Sequence, residues 1–76
     1  MVIILVRYIS DLNDRTARFA RHCVEHYTFV DLVHSSKDGI DYQACEEWGI
    51  SGEEWQDAIF AALKELRIQL HREESV

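Results

Sequence analysis

The chain opens on MVIILVRYI, a nearly unbroken apolar run rich in β-branched residues. It is too short for a helix and has no polar face, which predicts a strand over 1–9 buried on both sides. Ser10 or Asp11 then offers an N-cap, and from there Leu12, Thr16, Phe19, Ala20, Cys23, Val24 and Tyr27 recur at spacings of three and four. That period predicts an amphipathic helix over 11–27. YTFVDLVH is a second β-rich run and predicts a strand over 28–34, after which SSKDG carries turn residues. Strand, helix and strand in that order imply a parallel pair with a right-handed crossover.

The second half follows the helical period. Asp41 can cap a short helix over 41–48, and Gly49 can end it in the left-handed conformation that glycine adopts at little cost. Ser51 with Glu54 three residues on has the form of a capping box, and Trp55, Ile59, Ala62, Leu63, Leu66 and Leu70 mark the stripe of a helix over 52–71. The expected fold is therefore a small α/β domain spanning 1–76: a β-α-β unit followed by a short helix and a long C-terminal amphipathic helix.

With 76 residues, 47% hydrophobic and 29% charged, the chain has the balance of one globular domain and too little material for two cores. A domain this small gains from a second subunit, and an apolar first strand left as an open edge would invite pairing, so a homodimer is expected, through that strand or through Phe60 and Ile68. MVIILVRY lacks the basic leader and the length of a secretory or membrane segment, and two cysteines do not make a disulfide framework. A cytoplasmic protein with no membrane association follows as the expectation.

Charge separates the halves. Residues 1–39 carry five basic against five acidic groups, whereas residues 40–76 carry nine acids against Lys64, Arg67 and Arg72, the source of the net charge of −6. Between Asp41 and Asp57 there are six acids and no base. This stretch has the outline of a helix-turn-helix, with Gly49 at the turn, but its second helix would lead with Glu53, Glu54 and Asp57. A base-reading helix presents Arg, Lys, Asn or Gln, and acids against phosphate gain no counterion release. Direct nucleic-acid binding is therefore not expected through this unit.

The opening VRYISD with the run TFVDLVHSSKDGI resembles the start of the serine recombinase catalytic domain, where a strand ending in Arg-x-Ser precedes a helix and a second strand. The motif pair is not kept: with Arg7 matched, the serine position falls on Ile9, and with Ser10 matched, Tyr8 stands where the arginine belongs. No activity carries over from the resemblance.

Other chemistry is sparse. His22 and His26, four apart, have the spacing of a two-histidine metal grip but no third ligand at a matching spacing, so they read as solvated histidines and no metal or cofactor is expected. Cys23 lies on an apolar stripe, and Cys45 sits beside Glu46 and Glu47, whose charges would raise a thiol pKa. No catalytic residue emerges. The expectation is a small acidic, non-enzymatic protein-binding module, a stoichiometric regulator or inhibitor of the phage-inhibitor, antitoxin or DNA-mimic type. Its face would be Glu46, Glu47, Trp48, Glu53, Glu54, Trp55 and Asp57, its partner a basic surface such as that of a nucleic-acid-handling protein. The alternative is a helix-turn-helix-like, transcription-associated adaptor using Arg15, Arg18, Arg21 and His22.

Overall fold

The computed structural model describes residues 8–74, with side chains to residue 70, and it is helical rather than α/β. A single 3-10 turn at Ile9–Asp11 leads into α1 (Asp14–His26), α2 (Phe29–Asp38), α3 (Tyr42–Trp48) and α4 (Gly52–Glu74), with no strand among the described residues. The expected strand over 1–9 lies for the most part outside the described residues, and its last residue, Ile9, belongs to the 3-10 turn.

The expected strand over 28–34 is overturned by its own first four residues. Thr28 Oγ1 accepts from the Asp31 backbone N–H at 3.2 Å, while an Asp31 carboxylate oxygen accepts from the Thr28 N–H at 3.1 Å. This is a complete capping box, and it satisfies donors that a helix start otherwise leaves open. Burial then follows the helical period: Leu32 is 2% exposed, Phe29, Val33 and Ser36 are half-buried, and Val30 is 61% exposed. A strand would have put Val30 and Leu32 on one face. The helix runs on through the expected turn SSKD and stops at Gly39, whose φ of 98° a side chain would resist. With this strand gone, the β-α-β unit, its crossover and the recombinase-like opening go too.

The first long helix starts later than its apolar pattern suggests. Asn13 is its N-cap, the Thr16 N–H donating to Asn13 Oδ1 at 3.0 Å. Asp11, an expected cap, instead accepts from the Tyr8 N–H at 3.1 Å and closes the 3-10 turn. Lys64 Nζ stands 3.6 Å over the Tyr8 ring, a cation-π contact that ties this turn to α4.

At the next boundary Asp41 Oδ1 accepts from the Ala44 N–H, and Gly49 adopts φ 63°, ψ 40°. The Gly49 N–H reaches Glu46 O and the Ile50 N–H reaches Cys45 O at 3.0 Å, with Ile50 and Cys45 both buried. Two such bonds plus an apolar contact make a Schellman motif, which sets the angle between α3 and α4.

The core gathers around α4. Trp55, Ala58, Ile59 and Ala62 pack with Phe19, Ala20 and Cys23 of α1, Leu32 of α2, Cys45 of α3 and Ile50 of the turn. Alanines at 17, 20, 58, 61 and 62 are all buried, and side chains this small let α1 and α4 approach closely. With 23 residues against 13, α4 is about 34 Å long and α1 about 20 Å, so α4 outruns its partner. Leu70, on the expected stripe, is accordingly 47% exposed. No helix among the described residues is long and apolar enough to cross a membrane.

Candidate functional site

The acidic stretch forms the corner where α3 meets α4, and its carboxylates divide into two kinds. Glu54 is the N3 residue of α4: the Ser51 N–H donates to Glu54 Oε1 at 2.9 Å and the Glu54 N–H donates to Ser51 Oγ at 3.1 Å. Its other oxygen faces α1, where Thr16 Oγ1 donates at 3.2 Å and Asn13 Nδ2 donates in a short contact. Asn13 therefore caps α1 with its carbonyl oxygen and holds α4 with its amide nitrogen. The Ser51 backbone bond, with the Asn13 bond next, lowers the Glu54 pKa to about 2. Glu54 stays charged in order to hold two helix starts together.

Glu46, Glu47 and Glu53 are exposed around the same corner. Asp57 is half-buried and already engaged within the protein. The two tryptophans expected beside these acids are otherwise employed. Trp55 is 3% exposed and belongs to the core. Trp48 is half-buried, its ring 5.4 Å from Phe19 and 5.0 Å from His22 across the α1–α3 contact. Of the seven residues expected to form the face, the structure brings Glu46, Glu47 and Glu53 to the surface together with part of Trp48.

The aromatic that the corner does present is Tyr42, 70% exposed. It lies four residues before Glu46 on α3, which puts the two on one helix face, and its ring lies near Gly52, where an added Cβ would stand 3.7 Å from Cε1. Its sequence signal is an aromatic at the first helical position, directly after an Asp cap. Arg15 reaches the turn of the corner from α1, Nη1 donating to Gly49 O at 3.4 Å.

In the helix-turn-helix outline the second helix, α4, buries one face through Trp55, Ala58, Ile59 and Ala62 and bonds Glu54 of its leading turn to α1, and the residues it leaves exposed there are Glu53, Gln56 and Phe60, none of them basic. Neither thiol is primed for nucleophilic chemistry. Burial pushes Cys23 up to about 11, and desolvation with the Asp41 charge raises Cys45. Elsewhere, α4 and the start of α2 flank an open groove of about 350 Å³ lined by Phe29, Val30, Leu66 and Leu70. No protein-family model matches the chain, and no curated protein or solved structure matches it significantly.

Proposed function

We propose that the protein is a small non-enzymatic binding module that sets the outward acids of the α3–α4 corner against a basic protein surface. The observation that carries this reading is the division of the carboxylates. Glu54 is consumed in fixing the corner, while Glu46, Glu47 and Glu53 project from it, and no Lys or Arg occurs in the sequence between Ile40 and Leu63. A corner braced by two caps and a Schellman turn presents its charges with little ordering left to lose on binding, which favours affinity. Tyr42 supplies the large, two-torsion aromatic that interfaces favour, in the role first assigned to the tryptophans. A regulator or inhibitor acting by occupancy fits this surface, and a partner that handles nucleic acid would supply the basic complement.

The test compares wild type with the E46K/E47K/E53K variant, leaving Glu54 in place. Proteins captured from the native host by wild type and lost with the variant identify the partner. With that partner purified, the variant should associate about tenfold or more slowly at low salt, because complementary charge acts mainly on encounter. Capture and association unchanged by the triple reversal would refute the reading. So would a mobility shift of duplex DNA by the wild-type protein at low salt that is lost on replacing Arg18 and Arg21, which would favour the adaptor alternative.

A further inference from the structure

On the face of α1 beside Trp48, His22 and His26 stand one turn apart with ring centroids 4.4 Å from each other and planes inclined by 40°. The pair is not simply solvated. The His22 ring is half-buried, 5.0 Å from Trp48 and edge-on to Tyr27 at 6.1 Å, and His26 is exposed beside it. Two imidazoles bonded to one ion at about 2.0–2.1 Å, with a coordination angle of about 90–110°, place their centroids about 4.5–5.2 Å apart. The observed spacing is within a small side-chain adjustment of that.

We infer that His22 and His26 chelate a first-row divalent metal ion of the nickel, copper or zinc kind, in a site open on its outer side. Neutral imidazole is the ligand type these ions share, and their affinity for it rises toward copper. Among the described residues no group of three or more His, Cys, Asp and Glu side chains is placed to hold a metal. His22 and His26 supply two ligands, and water or another donor takes the remaining positions. This is unlike a closed four-ligand structural site. The aromatic contacts of His22 reduce the rotamer freedom lost on closing the chelate, so the ring is partly positioned before the ion arrives.

Untagged protein titrated with nickel chloride tests this by calorimetry and by Trp48 fluorescence, nickel being a quencher that leaves the thiols reduced. Wild type should bind one ion per chain with quenching that zinc chloride reverses, since zinc competes for the same nitrogens. His22→Gln and His26→Gln should each weaken binding by about a hundredfold, because the second ligand of a chelate acts at high effective concentration. His34→Gln should bind as wild type does. Both side chains lie toward the surface of α1, and unchanged far-UV circular dichroism will show that the variants are folded. Equal nickel affinity in wild type and in either folded single variant would overturn the assignment.

Discussion

Two helices of this domain begin with the same device and use it differently. At α2, Thr28 and Asp31 exchange bonds within four residues, and Asp31 reaches no other helix by a hydrogen bond. At α4, Ser51 and Glu54 exchange the same pair of bonds, and the longer Glu54 side chain has a second oxygen left for Asn13 and Thr16 of α1. One carboxylate starts a helix. The other starts a helix and fixes its position against a neighbour, which is why one of the acids expected in the binding face is structural.

The largest expected effect breaks the comparison at α2 itself. Leu32→Ala should cost about 2–5 kcal/mol in urea unfolding, as for other buried leucines, while Val30→Ala should stay within about 0.5 kcal/mol. A strand over 28–34 would make the two losses alike, so similar values would restore it.

Next in size is the difference between the caps. Glu54→Ala removes a charged cap and leaves the Thr16 hydroxyl, buried at the α1–α4 seam, without its acceptor, for about 2–3 kcal/mol. Asp31→Ala removes only the local half of a capping box and should cost distinctly less than Glu54→Ala. If Asp31→Ala proved the more damaging, the cross-helix role of Glu54 would be lost.

Acid sharpens the same contrast. The folded pKa of Glu54 lies at about 2, below the ordinary carboxylate value of 4.5. Its contribution is therefore complete above the unfolded pKa and fades as pH falls from about 4.5 toward 2, where the folded form finally takes up the proton. Asp31 is also lowered, chiefly by its Thr28 backbone bond, so wild type should lose stability across this range. Glu54→Gln, which keeps the box geometry without the charge, should lose less of it, and an acid transition identical to that of wild type would remove Glu54 as its source.

These outcomes bear on what the sequence makes legible. The stretch from Asp41 onward could be read because each boundary has a local cause: an Asp cap, a glycine in the left-handed region, a Ser-x-x-Glu box, then Trp55 and Ile59 on a stripe that the core buries. Thr28-x-x-Asp31 carries the same signature, but Thr28, Val30 and Val33 are β-branched and give the segment the composition of a strand. β-propensity reflects packing on a sheet that has to exist, whereas the cap bonds form within the segment. The choice of Asn13 over Asp11 as cap, and the reach of Glu54 to Thr16 across 38 residues, depend on where α4 docks. No spacing announces that. Tyr42 is obscured for the opposite reason: tryptophan is the type most enriched at binding hot spots, but Trp55 is buried and Trp48 half-buried.

The smallest effect concerns the exposed side of α4. Phe60 is 60% exposed and was expected to help bury a second copy. Phe60→Ala should change stability by no more than about 0.5 kcal/mol at low protein concentration. A loss that grows with concentration would show that another copy of the chain covers this ring.

The division of the acidic corner into one structural and several outward carboxylates is tested most directly by adjacent residues. Equilibrium urea unfolding of Glu53→Ala and Glu54→Ala, measured side by side at neutral pH, should give losses of at most about 0.5 kcal/mol for Glu53, an exposed acid in the first turn of α4, and about 2–3 kcal/mol for Glu54. Equal losses at the two positions, or the larger loss at Glu53, would contradict the account.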